Sequence, residues 1–412
     1  AGMGEQPLYE VVVRLESEGA HASYDHHPIG LRTIHIDQSP VDSGRLFAVT
    51  VNGRRAFCRG GNWIPADSIY SRVSNDKYHK LIAEAREANF TMLRIWGGGV
   101  YEREIFYDEC DRAGILVWQD LMYACAIYPD DRAWFRNESR MEIEYQVKRL
   151  RSRACLALVS GNNENHWGFD QWWIGEKTPE FPGGAVVYNK IAPEVLDRLA
   201  PHVPYWNSSP YGGGEPNGNE VGDRHHWHDC TMNADMEKRI TPEEYDKVQS
   251  KFVSEYGYIG PCSMDTIERY HGSSPIDRGS KLWDWHNNTF EKDTVVAGIR
   301  KHYTDPESLD LVGYIHYAGL TQALMLGYSL EAIRYKLECY GALFWMYNDC
   351  WGEVGWTIID YYLDRKPSFY AVKRALAPRR IILRPENQTV GAVVCNDTAS
   401  PFDLDYRAGF VS

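Results

Sequence analysis

Residues 155–168 read CLALVSGNNENHWG. An apolar run of strand length ends abruptly in a glycine, two asparagines and a glutamate, as a strand buried on both faces reads where it leaves its sheet. The same grammar recurs outward in both directions. FCRGGNW (57–63), TMLRIWG (91–97), ILVWQDL (115–121), PYWNSS (204–209), HHWHD (225–229), KFVSEYG (251–257) and ALFWMYND (342–349) join CLALVSGNNE (155–164) to make eight candidate strands. Helical spacing fills several of the gaps: NDKYHKLIAEAREANF (75–90) behind Ser74 or Asn75 as cap, EREIFYDECDRAG (102–114) ending on a glycine, and RMEIEYQVKRLRSR (140–153). Parallel strands with outer helices predict an α/β fold, a (β/α)8 TIM barrel over residues 56–378, whose chemistry sits at strand C-terminal ends. Segment 262–341 is long enough to carry inserted helices before the last strand.

The flanks read differently. Residues 1–55 alternate apolar and polar (LYEVVVRLE, IGLRTIHID, RLFAVTVNGRRAF) with an Asn-Gly turn signal at 52 and 53, which predicts the end of an immunoglobulin-like β-sandwich domain. Three strands do not make a sandwich, so the rest of that domain is expected elsewhere. After APRR (377–380) the alternation returns in IILRPENQTVGAVVCNDT, and residues 379–412 predict the start of a C-terminal β-domain. The fold expectation is thus a barrel flanked by partial β-sandwich segments at both ends.

Composition narrows the function. A formal charge of −13 over 412 residues argues against a nucleic-acid partner, which needs a basic face. No window is apolar enough for a membrane span, and no compartment can be read from the sequence. The nine cysteines are scattered without close pairs, several inside apolar runs, and read as buried thiols. Fourteen tryptophans fit a ligand with a flat apolar face, such as a sugar ring. No cofactor is called for. HHWHDC (225–230) invites a metal, but on a strand His226, His228 and Cys230 face one side and His225 the other, so no metal is expected. GGG (97–99) lacks any phosphate-loop frame and reads as a tight turn.

Polar and aromatic residues crowd the predicted strand ends: Arg94 and Trp96, Gln119 and Asp120, Asn163 and Glu164, Glu255, then Trp345, Asn348 and Asp349. Strands four and seven lie across a barrel mouth from each other, so Glu164 and Glu255 can converge on one bond. Two such carboxylates suit glycoside hydrolysis, one protonating the leaving oxygen and the other attacking C1 or activating water. A glutamate at a strand end is more often a solvated loop residue; its neighbours decide here. Asn163 offers a donor for a sugar hydroxyl, and Arg94 can hold Glu255 ionised.

RGGNWIPADS (59–68), LRIWGGGVYE (93–102), FYDECDRAGILVWQD (106–120), SGNNE (160–164), FVSEYG (252–257) and ALFWMYNDCW (342–351) together resemble the catalytic barrel of the β-mannosidases of glycoside hydrolase family 2. The resemblance spans about residues 5–400. It implies a retaining exo-hydrolase that releases terminal non-reducing β-D-mannose from β-mannoside oligosaccharides, with Glu164 as acid/base and Glu255 as nucleophile. It places Arg94, Trp96, Trp172 or Trp173, and Trp345 in the pocket; Asn163, Asn348 and Asp349 are read beside them from their strand-end positions, and His225, His226 and Trp227 of GDRHHW (222–227) are read as lining its rim. His226 stands where that family usually has an aromatic ring, and Arg153-Ala154 replaces a usual His-Pro. The family's N-terminal β-domain, expected to complete the pocket, is missing from these residues. Rival readings are another β-glycoside (endo-β-mannosidase, exo-β-glucosaminidase or β-galactosidase) and a non-catalytic glycan-binding barrel.

Overall fold

Eight strands run parallel in one sheet: β1 (Cys58–Trp63), β2 (Met92–Ile95), β3 (Leu116–Asp120), β4 (Leu156–Ser160), β5 (Tyr205–Trp206), β6 (Arg224–His225), β7 (Val253–Glu255) and β8 (Gly341–Phe344). Their lateral order is β5-β4-β3-β2-β1-β8-β7-β6. The two edge strands are therefore consecutive in the chain, the order of a curled sheet consistent with a (β/α)8 barrel. Side chains span the gap between the edges: Trp206 Nε1 donates to Asp223 Oδ1 (2.9 Å) and Ser209 Oγ to Asp223 Oδ2 (2.7 Å). This computed structural model describes residues 3–17, 19, 23–178, 180–288, 290–386, 389–403 and 405.

Each predicted segment holds a strand, yet several are short because side chains take over the ladder. At β6 the Asn217 amide stands in for a strand neighbour, accepting from His225 N (2.8 Å) and donating to His225 O (3.0 Å). The strand stops there, so residues 226–230 do not alternate across a sheet as the sequence suggested. At the exit of β4, Asn162 donates to Asn207 O (3.1 Å) and accepts from Asn165 N (3.0 Å) and Ser208 Oγ (2.6 Å).

The helices follow their signals. Helix α1 (Asn75–Glu87) is capped by Ser74 Oγ, which accepts from Lys77 N, and α2 (Glu104–Ala113) stops at Gly114 in the left-handed region (φ 66°). Helix α3 (Ala133–Leu150) starts seven residues before the sequence pattern (140 − 133). Segment 262–341 holds helices Met264–His271, Lys281–Trp285, Val296–His302 and the 24-residue α4 (Leu311–Arg334), which packs on α5 (Pro367–Ala375). Leu81, Ile82, Phe106, Ile143, Leu326, Ile333 and Phe369 are buried in one cluster between helices and sheet. A second apolar layer fills the barrel floor: Met92, Trp118, Leu158, Phe252 and Leu343, with the fully buried Phe47 between Trp118, Trp206 and Phe252. Above this hydrocarbon floor, Asn62, Arg94, Asp120 and Glu255 stand toward the C-terminal ends of their strands.

Flanking residues form antiparallel strands: a hairpin of Tyr9–Leu15 with Ser23–Ile29, a three-stranded unit of Ile34–Asp37, Ala48–Val51 and Arg54–Arg55, and a hairpin of Arg379–Glu386 with Thr389–Asn396. Asn52 (φ 50°) and Gly53 (φ 76°) both lie at positive φ, as the tight turn of the second unit requires. Residues 1–2, 18, 20–22, 387–388, 404 and 406–412 of the two flanking segments lie outside the described residues. Among the described residues, no helix is long and apolar enough to cross a membrane.

Candidate active site

The strand-four exit is held from both sides. Asn163 forms isolated parallel bridges to Ala124 and to Ser209, and Glu164 follows in the left-handed region (φ 63°, ψ 2°) with its N–H on Ser209 O (2.8 Å). This turn leads directly into the short helix Asn165–Gln171. It leaves Glu164 at the mouth of the barrel, buried but for 8% of its surface.

Arg94, on β2, is the fully buried hub. Its Nη1 donates to Glu255 Oε2 (2.8 Å) and Asn62 Oδ1 (2.7 Å), its Nη2 to Asp120 Oδ2 (2.8 Å) and Asn163 Oδ1 (2.6 Å). Gly97 N (3.0 Å) and Trp118 Nε1 (3.0 Å) also donate to Asp120. Every contact made by Arg94 and Asp120 is between a donor and an ionic acceptor or amide oxygen, so the pair orients the guanidinium while leaving one arm for Glu255.

Glu255 receives Arg94 on Oε2 and Trp227 Nε1 on Oε1 (3.3 Å). Burial pushes its carboxyl above the ordinary range, and the nearby Glu164 adds to that push, while His225 and Arg94 pull it back. Glu164 is also raised by burial, against the Cys125 thiol, which donates to its Oε2 (3.2 Å). Between the two acids stands His225, its Nδ1 2.7 Å from Glu164 Oε1 and its Nε2 3.6 Å from Glu255 Oε2. Burial lowers the imidazole to about 4, so the ring is neutral near pH 7.

One oxygen of Glu164, one ring nitrogen of His225 and one oxygen of Glu255 lie within 4.8 Å of one another. Such a trio has the donor types of a metal site. Arg94, Trp227 and Cys125 donors already occupy its carboxylates, and an added cation would face the Arg94 charge. The cluster reads as hydrogen-bonded, not as a metal centre.

A cleft of about 240 Å³ opens over the acids, lined by Glu164, Trp167, Trp172, Trp227, His228, Met232, Glu255, Trp345 and Trp356. Three of these rings are braced by others: Trp345 by Trp96 (5.2 Å, edge-on), Trp227 by Trp356 (5.0 Å) and Trp172 by Trp167 (5.3 Å). A larger groove of about 1200 Å³ lies beside residues 248–251 and 335–339, just before β7 and β8. That is the N-terminal end of the sheet, and neither Glu164 nor Glu255 lines it.

The structure brings Glu164, Glu255, Arg94, Asn163, His225, Trp227, Trp172 and Trp345 into or directly behind this cleft, with Trp96 supporting Trp345. Four other candidates stand elsewhere. Trp173 packs on Phe169 and Gly168. His226 is buried against Tyr245 and does not line the cleft, as expected of the residue that follows the inward-facing His225. Asn348 is spent on the backbone of Ile64, donating to its O (2.8 Å). Asp349 is buried outside the cleft, its carboxyl well above the usual range through burial and the charge of Glu353. Gln119 likewise turns outward, accepting from Tyr107 of α2 (2.6 Å), since its neighbour Asp120 faces in. Cleft residues not expected from sequence are Trp167, His228, Met232 and Trp356. Trp167 sits three residues after Glu164 and was readable from NHWG, and His228 stands in the HHWHDC string; Met232 and Trp356 carry no local signal.

No family model matches the chain. It is 34% identical over 405 residues to β-mannosidase B of Emericella nidulans, a match covering 94% of this chain and 47% of that one, and equally so to β-mannosidase B of Aspergillus terreus. Among solved structures, a β-D-mannosidase of Dictyoglomus thermophilum superposes with a TM-score of 0.90 at 38% identity, over 96% of this chain and 48% of that one. An exo-chitosanase of Amycolatopsis orientalis (TM-score 0.74, 18% identity, 97% of this chain and 46% of that one) shares the fold. The chain is thus homologous to β-mannosidases over nearly all its residues, and it spans about half the length of the curated relatives it matches.

Proposed function

We propose that the chain carries the catalytic barrel of a family 2 β-mannosidase that releases terminal non-reducing β-D-mannose with retention of configuration. In this reading residues 56–378 form the closed barrel, 1–55 end an immunoglobulin-like sandwich and 379–412 begin a C-terminal β-domain. A further N-terminal β-domain completes the open side of the cleft.

The observation that carries the reading is the distance between the acids. One oxygen of Glu164 and one of Glu255 lie within 4.8 Å of each other, a close approach that fits the roughly 5–5.5 Å separation of retaining carboxyl pairs better than the roughly 6.5–9.5 Å of inverting ones. Glu255, fixed by Arg94 and Trp227, attacks C1 while Glu164 delivers its proton to the departing oxygen. The C1–O bond breaks and a glycosyl ester forms on Glu255. Esterification removes the Glu255 charge, and Glu164, now ionised, takes a proton from the water that attacks C1 and frees Glu255. Trp345, Trp227 and Trp356 supply apolar walls around the sugar and keep bulk water from the oxocarbenium-like transition state.

A 2-deoxy-2-fluoro-β-mannosyl fluoride tests this: it should trap a 1:1 adduct located by peptide mapping at Glu255. An adduct elsewhere, or turnover with inversion, sinks the assignment. A panel of aryl β-glycosides should show mannoside preferred over glucosaminide and galactoside.

A further inference from the structure

Asp223 is fully buried and takes no part in the chemistry above, yet four donors converge on it. Trp206 Nε1 (2.9 Å) and Tyr211 N (3.1 Å) donate to Oδ1, while Ser209 Oγ (2.7 Å) and Ser254 Oγ (2.5 Å) donate to Oδ2. A hydroxyl has one proton, and that of Ser209 is committed to Asp223. Its oxygen therefore presents a lone pair to His225 Nε2, 3.1 Å away, where Glu255 Oε2 is a second acceptor at 3.6 Å. Nε2 thus faces two acceptors, while Nδ1 faces one Glu164 oxygen, 2.7 Å away, that can itself carry the proton between them; a ring proton on Nε2 leaves Nδ1 bare toward Glu164 Oε1.

We propose that Asp223, acting through Ser209, fixes the tautomer of His225 so that the proton between His225 Nδ1 and Glu164 Oε1 is held by Glu164. The inference rests on the acid role assigned to Glu164 and adds three positioning residues behind it. Substrate binding breaks the Oε1–H···Nδ1 contact, and the proton passes to the glycosidic oxygen as the C1–O bond cleaves. The Glu164 anion left behind faces a ring nitrogen without a proton, which offers it no stabilisation and keeps it a strong base for the second step. When water is deprotonated, the proton returns to Oε1 and the contact to Nδ1 reforms. The other charged or titratable groups facing this pair are Arg94 and Glu255 below, Cys125 on Glu164 Oε2, and His228 on the cleft wall. Among the described residues, none of them gives Nδ1 another hydrogen-bond partner.

Asp223→Asn reverses the relay without changing its shape. Trp206 and Tyr211 both donate, so the amide oxygen must take the Oδ1 place and the amide N–H must face Ser209. Ser209 then turns its own proton to His225 Nε2, the ring proton moves to Nδ1, and Glu164 accepts instead of donating. Long-range ¹H–¹⁵N NMR of the imidazole should show the Nε2–H tautomer in the parent and Nδ1–H in Asp223→Asn. Turnover of an alkyl mannoside, which needs protonic help, should fall about 10²-fold in the variant. The 2,4-dinitrophenyl mannoside, which leaves unaided, should change by no more than about threefold. The basic limb of the alkyl substrate's pH profile should move to lower pH. Ser209→Ala, which deletes the relay without reversing it, should give a smaller loss of the same pattern. An Nδ1–H tautomer in the parent, or equal losses on both substrates, overturns the proposal. If the parent hydrolyses no mannoside, the functional reading fails, and the tautomer measurement alone still decides this one.

Discussion

Arg94 Nη1 lies 2.8 Å from Glu255 Oε2, and Nη2 of the same guanidinium lies 2.8 Å from Asp120 Oδ2. One buried cation thus serves Asp120 and the carboxylate proposed as nucleophile together. Replacing it by methionine leaves both acids buried without their partner, a change that costs about 3–5 kcal/mol of stability. The effect on activity is electrostatic and directional: Arg94 pulls the Glu255 carboxyl down, so its loss raises that carboxyl's pKa. The acidic limb of the kcat/KM profile of Arg94→Met should therefore move to higher pH, measured beside a thermal melt. Arg94→Lys keeps charge but not the fork, and should recover part of the limb while leaving kcat low.

Glu164 and Glu255 should be separable by chemical rescue. Either residue changed to glycine should lose about 10³-fold or more of kcat on an alkyl mannoside. On the 2,4-dinitrophenyl mannoside, whose leaving group needs no proton, azide should restore Glu164→Gly with a β-mannosyl azide product and Glu255→Gly with the α-anomer, read by NMR of the products. The same anomer from both variants would contradict the division of roles.

Gly98 lies on the face of Trp96: a Cβ there would come within 2.1 Å of the ring. Gly98→Ala must push Trp96 away and with it the edge-on contact to Trp345, 5.2 Å between centroids. The expected result is a rise in KM for mannosides of about tenfold, equivalent to about 1.4 kcal/mol of lost binding. The melting temperature should move little, since both rings are only half-buried.

His226 is 3% exposed, neither ring nitrogen has a hydrogen-bond partner among the described residues, and Asp229 lies 3.3 Å from Nδ1. Burial lowers the ring to about 4 from its ordinary 6.5. The unfolded chain therefore takes up a proton that the fold refuses, so this residue erodes stability as pH falls from about 6.5 to about 4. His226→Phe removes both the unpaired nitrogens and the titration. The variant should be more stable than the parent at every pH, by about 1–3 kcal/mol near neutrality, with the gap widening at pH 5. Urea melts at pH 5 and pH 8 measure it, and an equal gap at both would refute the linkage.

The strands and the rim positions of Glu164 and Glu255 were legible because each announces itself locally: an apolar run ending in polar residues names a strand, its rim and its last side chain together. Helices with a capping serine or a terminal glycine were readable for the same reason, as at Ser74 and Gly114. What escaped was decided by tertiary partners. His226 and Asn348 stand in the same motifs as real cleft residues, but His226 packs on Tyr245 and Ile64 engages Asn348. Met232, Trp356 and the Asp223–Ser209 relay are brought in by loops whose course no periodicity encodes.

The left-handed backbone at Glu164 (φ 63°) has a consequence for how such a barrel ages. A glutamate in that conformation sits about 1 kcal/mol above a glycine, and its carboxyl is held in a site that burial makes unfavourable for the anion. Glu164→Gly should therefore match or exceed the parent's melting temperature while losing turnover. A gene copy released from selection for hydrolysis gains robustness by losing this residue early. Glycine, asparagine or aspartate at this position, in an otherwise intact barrel, is the expected mark of a lineage that has given up catalysis and kept the fold.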